Sequence, residues 1–316
     1  MVEIRPFTEE LVDEAARLLE ERHRRHRAAE PLLVERPDFA GEVRALLERG
    51  ATGVAGSRDG RLVGYMLGTR LGDVWGPNVW VEPAGHAAAD AEDVRDLYAE
   101  AAARWVDEGR TAHYAQVPAS DAALVDAWFR LSFGQQHALG VRELDSTDDP
   151  AAPEGVVVRR ATADDLEALV ELGPLLPDHQ AQSPVFARGF DETEEELRTE
   201  IAADLANDSW VTLVAEVDGR IVSSFFLVPT EESGVHSGLA RVPGALLLSW
   251  AATRPEARGT GAGLALMAAS FAYAREHGYT AMVVDWRVTN LLSSRFWTRR
   301  GFRATFLRLH RLLDAR

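Results

Sequence analysis

Three short segments of this 316-residue chain occur twice, in the same order. Ile4-Arg5-Pro6-Phe7-Thr8-Glu9-Glu10 is matched by Val158-Arg159-Arg160-Ala161-Thr162-Ala163-Asp164, a short strand running into a helix with an N-cap-type threonine and early acids. Asp59-Gly60-Arg61-Leu62-Val63 is matched by Asp218-Gly219-Arg220-Ile221-Val222, an Asp-Gly turn between apolar runs and thus a hairpin signal. Trp128-Phe129-Arg130-Leu131-Ser132-Phe133 is matched by Trp297-Thr298-Arg299-Arg300-Gly301-Phe302, the end of an amphipathic helix entering a last strand. The offsets are 154, 159 and 169 residues. One match could be chance, but three in order indicate a duplicated domain, and nothing else in the chain restricts the fold as strongly.

The length agrees, since domains of about 150 residues would use the chain twice. The boundary falls in Asp145-Ser146-Thr147-Asp148-Asp149-Pro150-Ala151-Ala152-Pro153, which is acidic and aperiodic. The expected organisation is a domain at 1–147, a linker at 148–155 and a domain at 156–316. Each half reads as strand, helix, second helical segment, hairpin, strand, long helix, strand, short helix, strand. In the second half the strands fall near Val156 to Arg159, Val211 to Val217, Ile221 to Pro229, Ala245 to Thr253, Ala281 to Val288 and Ala304 to Leu312. The helices fall near Ala163 to Leu172, Glu194 to Leu205, Gly261 to Glu276 and Leu291 to Arg300. This mixture predicts an α/β fold with a mixed sheet, α+β in character, and neither a bundle nor a β sandwich. His137 to Leu144 and Ala304 to Leu312 are each a lone last strand. One or both are expected to cross to the other half's sheet, making the chain a monomeric pseudo-dimer; a homodimer is the alternative.

Composition narrows the function. A formal net charge of −16 argues against nucleic-acid binding, which needs a dominant basic face. With no cysteine there is no disulfide, no thiolate nucleophile and no Cys-based zinc site, and no metal is expected. No apolar run approaches a membrane span, and Met1-Val2-Glu3-Ile4-Arg5 lacks signal-peptide character, so no membrane association and a cytoplasmic setting are expected. All 34 basic side chains are arginine, the pattern of GC-rich codon usage. The charge runs His23-Arg24-Arg25-His26-Arg27 and Glu194-Glu195-Glu196 read as solvated helix faces.

The most informative segment runs from Leu246 through Ser249, Ala251, Ala252, Thr253 and Pro255 to Arg258-Gly259-Thr260-Gly261-Ala262-Gly263-Leu264. An apolar strand meets a glycine-rich loop, and a helix follows with Leu264, Met267 and Phe271 at helical spacing. Unpaired N–H groups at a helix N-terminus bind phosphate, and glycines let the main chain approach it. A tight turn without a ligand is the plain alternative. A Walker loop is excluded because no lysine exists to follow the glycines, and the dinucleotide fingerprint has another spacing and position.

Pro255, Arg258, Gly261 and Gly263 resemble the acetyl-CoA signature of the GNAT family of N-acetyltransferases, Arg/Gln-x-x-Gly-x-Gly/Ala. Asp285-Trp286-Arg287 through Asn290, Phe296-Trp297 and Gly301-Phe302 is similar to that family's next strand, its Asn, its aromatic pair and its closing Gly-Phe. The resemblance covers about 156 to 316 and implies the tandem, duplicated form of that fold. It further implies two parallel strands that splay apart, with acetyl-CoA between the strand ending at Thr253 and the strand carrying Asp285. The pyrophosphate would rest on Arg258 and the loop N–H groups of Gly259, Thr260, Gly261, Ala262, Gly263 and Leu264, the pantetheine on Ala251, Ala252 and Thr253, with Asn290 near the lower part of the cofactor.

The activity implied is acetyl transfer directly to a primary amine of a small molecule, with no metal. Alternatives are another acyl-CoA donor, or a non-catalytic CoA-binding or regulatory protein. Asp285, which interrupts an apolar strand, is the candidate base, with a structural ion pair as its alternative. Trp297 stands where many members carry a tyrosine acid, and an indole N–H is no practical proton source; it also reads as a core aromatic, leaving Ser293, Ser294 or water. His179, in the loop expected to bind the acceptor, could touch substrate. In the first half, Trp80 to Asp93 stands at the position expected for the phosphate loop, with its proline at Pro83 but no glycine pattern and with acids instead. That half is therefore expected to be degenerate, to help structure or substrate binding, and to do no chemistry.

Overall fold

The computed structural model describes residues 2–72, 75–144, 153–187 and 192–314. The expected boundary segment lies mostly outside the described residues. The first half contains β1 (Glu3–Pro6), α1 (Val12–Ala29), α2 (Phe39–Glu48), β2 (Thr52–Arg58), β3 (Arg61–Gly68), β4 (Asn78–Val81), β5 (His86–Ala88), α3 (Asp93–Asp107), β6 (Ala112–Pro118), α4 (Ala122–Phe129) and β7 (Gly134–Glu143). The second contains β8 (Val157–Arg160), α5 (Leu166–Leu172), α6 (Leu175–Ala181), α7 (Glu194–Ala206), β9 (Val211–Val217), β10 (Arg220–Pro229), β11 (Ala245–Thr253), α8 (Ala262–Glu276), β12 (Ala281–Arg287), α9 (Leu291–Thr298) and β13 (Arg303–Leu312).

The repeated segments form matching structures. Asp59 and Gly60, like Asp218 and Gly219, all have positive φ, the geometry of a two-residue hairpin turn. These turns join β2 to β3 and β9 to β10 in antiparallel pairs. Trp128 packs on Phe133 at 4.7 Å and Trp297 on Phe302 at 5.9 Å, all four rings buried. Asp121 caps α4 by accepting from Leu124 N–H, and Asn290 caps α9 by accepting from Leu292 and Ser293. Each cap stabilises its short helix by about 1 kcal/mol.

The chain forms two compact units: Met1–Leu139 with Ser237–Arg241 and Ala304–Arg316, and Gly140–His236 with Val242–Arg303. Each unit thus includes the other half's last strand or its end. In unit 1, β13 lies antiparallel to β6, from Phe306 opposite Pro118 to Leu312 opposite Ala112. Leu309 from β13 enters the unit 1 core among Trp105, Val117, Trp128 and Phe133. In unit 2, Gly140 at the end of β7 is packed against the Trp286 indole of β12, so closely that a Cβ would stand 2.5 Å from the ring. The strand crossing expected from the lone last strands is therefore present. Among the described residues, no helix is long and apolar enough to cross a membrane.

One sequence reading needs correction. His23 and His26 are buried beside the equally buried Arg22, so the basic run on α1 is not a solvated face; Arg24 and Arg25 are exposed and Arg27 partly so. His23 Nε2 bonds Val34 O at 2.8 Å, and the His26 ring stands edge-on to Phe306 at 4.7 Å. Glu194, Glu195 and Glu196 do form an exposed first turn, with Thr193 and Glu196 making a reciprocal capping box.

Candidate acyl-CoA site in the second half

Strands β11 and β12 run parallel and in register from Ala245 opposite Ala281 to Leu248 opposite Val284, where their pairing stops. Beyond that point β11 continues to Thr253 beside β10 alone, while β12 continues to Arg287. Hence the β12-side edge of Ala251, Ala252 and Thr253 has no strand partner among the described residues. On the other side Ser223 Oγ donates to Ala252 O at 2.7 Å and locks this stretch of β11 in place. The pairing with β10 also shifts register here, with Phe226 opposite Trp250 and Leu227 opposite Leu248. Ser249 is the extra residue, a bulge without a partner on either side, and its side chain is exposed although its strand is central. The sequence reading had not singled it out; an isolated serine in an apolar run was the only signal.

Eight residues, 254–261, link β11 to α8. Gly259 (φ 87°) and Gly261 (φ 93°) adopt left-handed backbone, which a residue with a Cβ reaches only at a cost of about 1–2 kcal/mol. The space beside Gly259 is open, whereas a Cβ on Gly261 would stand 2.4 Å from the Pro153 ring. Gly263 is helical and needs no special backbone; a Cβ there would meet only the Phe296 ring at ordinary contact. Gly261 caps α8, and Leu264 and Ala265 N–H bond back to its carbonyl. Among the described residues, the N–H groups of Gly259, Gly261, Ala262 and Gly263 donate to no protein atom. They sit at the positive end of the α8 dipole. Arg258 is exposed with no ion pair among the described residues, while Arg254 is held by Ile221 O and Glu171. A loop of free N–H groups, a free cation and an unpartnered strand edge fit a pyrophosphate and a pantetheine arm.

At the fork, Asp285 follows the last paired residue of β12 as Ser249 follows that of β11. Asp285 and Arg287 share one face of β12 by strand alternation, and Arg287 Nε donates to Gln180 Oε1 of α6 at 2.9 Å. His179 Nε2 lies 3.3 Å from Asn290 Oδ1. Helix α6, which the sequence reading missed because Gly173-Pro174 and Pro177 look like breakers, thus lies against the end of β12 with His179 and Gln180 inward. Asn290 is buried, and its carboxamide oxygen is engaged in capping α9.

Residues 177–302 match the family model described as "Acetyltransferase (GNAT) family". That match lies wholly within the second half and covers less than half of the chain. Similar solved structures include a GCN5-related N-acetyltransferase from Sphaerobacter thermophilus, 16% identical over 98% of this chain and 95% of that one, with a TM-score of 0.62. A tandem GNAT protein from the clavulanic acid biosynthesis pathway is 15% identical over 99% and 98% of the two chains, with a TM-score of 0.55. A GCN5-related glucosamine N-acetyltransferase region of a fungal multi-domain GH3 β-N-acetylglucosaminidase is 14% identical over 98% of this chain and 38% of that one, with a TM-score of 0.56. At such identities the likeness is one of fold, and it extends over both halves. No curated protein sequence matches the chain.

In the second half Trp297 belongs to the core, in ring contact with Phe225, Phe296 and Phe302. Among the described residues no cluster of His, Asp or Glu could hold a metal ion. The first half shows another arrangement at the same place. There the counterpart of β11 is broken: β4 pairs with β6 and β5 pairs with β3. Pro83 lies inside this break, not at the strand end expected from sequence, because its likeness to Pro255 is one of residue type and not of place. The connection to α3 is four residues, 89–92. Asp90 accepts from Glu92 N–H at 2.9 Å, and Asp93 pairs with Arg58 at 2.8 Å. The opening beside the strand is occupied by Arg22, which donates to Pro83 O at 2.5 Å and to His86 O. Tyr65 OH donates to Ala84 O at 2.8 Å, and His86 Nε2 reaches Gln116 O of β6 at 3.0 Å.

Proposed function

We propose that the second half is an acetyl-CoA-dependent N-acetyltransferase that acts on a primary amine of a small molecule. The observation that carries the reading is the parting of β11 and β12 after Leu248 and Val284, in front of a loop whose N–H groups remain free. Arg258 and the main chain from Gly259 to Leu264 hold the pyrophosphate, and the free edge of Ala251, Ala252 and Thr253 pairs with the pantetheine amides. Asn290 acts from beneath by fixing the start of α9. When bound, acetyl-CoA supplies an electrophilic acetyl carbon and a thiolate leaving group. The main chain at the Ser249 bulge, beside the point where the strands part, would polarise the acyl oxygen. Asp285 receives the acceptor's ammonium group through its negative charge. Overall the amine nitrogen gains the acetyl carbon, the C–S bond breaks, and the proton shed by the amine passes to sulfur or solvent. With no cysteine in the chain, no thiol-bound acyl-enzyme arises.

Net negative charge favours a cationic acceptor by steering, and the description of one structural neighbour as a glucosamine N-acetyltransferase region supports a small amine. Thiol release from acetyl-CoA over a panel of primary amines is the test. Turnover that falls about a hundredfold in Asp285→Asn, with acetyl-CoA affinity retained, supports the reading. Binding without turnover favours the second reading, a CoA-binding regulatory protein, for which the core position of Trp297 is the one favourable observation. A donor panel separates acetyl from longer acyl groups.

A further inference from the structure

The contact between His179 and Asn290 fixes more than a position. Asn290 Oδ1 accepts from the N–H groups of both Leu292 and Ser293, so the carboxamide atom facing His179 is an acceptor. The imidazole nitrogen opposite it, Nε2, must therefore carry the proton. The lone pair is left on Nδ1, which has no hydrogen-bond partner among the described residues. His179 is half-buried and sits on α6, whose next residue, Gln180, holds Arg287 on the Asp285 face of β12. A histidine in a set tautomer with an unused base nitrogen thus stands at the open end of the fork.

We propose that His179 is the base that deprotonates the acceptor. An R–NH3+ group gives one proton to Nδ1, leaving R–NH2 with its nitrogen lone pair and an imidazolium that later returns its proton to water. Asp285 then holds the ammonium in place, while the unused Nδ1 lone pair of His179 takes the proton. The charged groups on the elements around α6 are Asp178 on α6 itself, Glu167 and Glu171 on α5, Asp285 and Arg287 on β12 and Arg295 on α9; β11 has none. This assignment rests on the acyltransfer reading.

The test uses the full chain, acetyl-CoA, and spermidine, glucosamine and tyramine as probes. His179→Gln keeps an N–H donor toward Asn290 but has no basic nitrogen. It is expected to lower kcat/KM about a hundredfold at neutral pH and to remove the acid limb of the pH profile, with acetyl-CoA affinity unchanged. In His179→Ala, added imidazole is expected to restore rate in proportion to its concentration. A His179→Gln protein with wild-type rate, or with only KM raised and the pH profile intact, overturns the assignment. Absence of thiol release by the wild-type protein with all three probes overturns the acyltransfer reading, and this assignment with it.

Discussion

The two halves are built from the same succession of elements and differ most where β11 and its counterpart, β4 with β5, meet the following helix. In the second half eight residues leave main-chain N–H groups unbonded, and two of them are glycines in left-handed backbone. In the first half four residues carry Asp90 and Glu92 into the same place, and Arg22, Tyr65 and His86 satisfy the polar groups beside the broken strand. On the proposed reading, the binding site consists of main-chain polarity left unsatisfied. Once side chains from within the fold satisfy it, the same scaffold has nothing to offer a phosphate or an amide.

Closing the first half has a consequence in acid, which gives the largest expected effect. Burial pushes the imidazoles of His26 and His86 down to about 3 and that of His113 to about 4. All three are neutral in the fold and protonated in the unfolded chain below pH 6.5, so the unfolded chain binds more protons and stability falls as pH drops. At pH 5 each costs about 2 kcal/mol, or about 6 kcal/mol together. Among the described residues of unit 2, only His236, pushed down to about 4 by burial, behaves this way. Hydrogen exchange at pH 5 against pH 7, corrected for intrinsic rates, should show peptides of 2–139 losing protection before those of 192–236.

Gly261→Glu should reduce acetyl-CoA affinity at least a thousandfold, about 4 kcal/mol, through like charge, lost left-handed backbone and the Pro153 contact. Gly259→Ala separates these causes. Its side chain has open space, so only the backbone cost of about 1–2 kcal/mol should remain. Titration calorimetry reads both.

The architecture of the second half was legible in the sequence because each strand there is bounded by a turn or cap of definite chemistry, such as Asp218-Gly219 or Asn290. The glycine-rich loop between β11 and α8 was legible for the same reason. The burial of Arg22, His23 and His26 was not, since a run of cations at helical spacing is polar by any local measure. Only their partners, Pro83, Val34, His86 and Phe306, bring them inside, and those lie up to 280 residues away in the chain. The break between β4 and β5 escaped similarly, because Pro83 has the appearance of a strand end while the strand resumes at His86.

Arg22→Met leaves Pro83 O and His86 O without their donor and should destabilise unit 1 by about 3 kcal/mol. It should not create a second acetyl-CoA site, because Asp90 and Glu92 still occupy the helix entrance. Thermal unfolding with and without acetyl-CoA measures both. The smallest effect is expected from Trp297→Tyr. Its ring lies in the core as Trp128 does in the first half, so turnover should change less than threefold at any pH between 6 and 9. A gain confined to low pH would instead mark a missing acid and separate the two tryptophans.

The central claim is that one half binds acyl-CoA and the other is filled by its own side chains. Calorimetric titration of the full chain with acetyl-CoA tests it most directly. The account predicts one site per chain, abolished by Gly261→Glu and untouched by Arg22→Met. Two sites per chain, or a single site that survives Gly261→Glu, would contradict it.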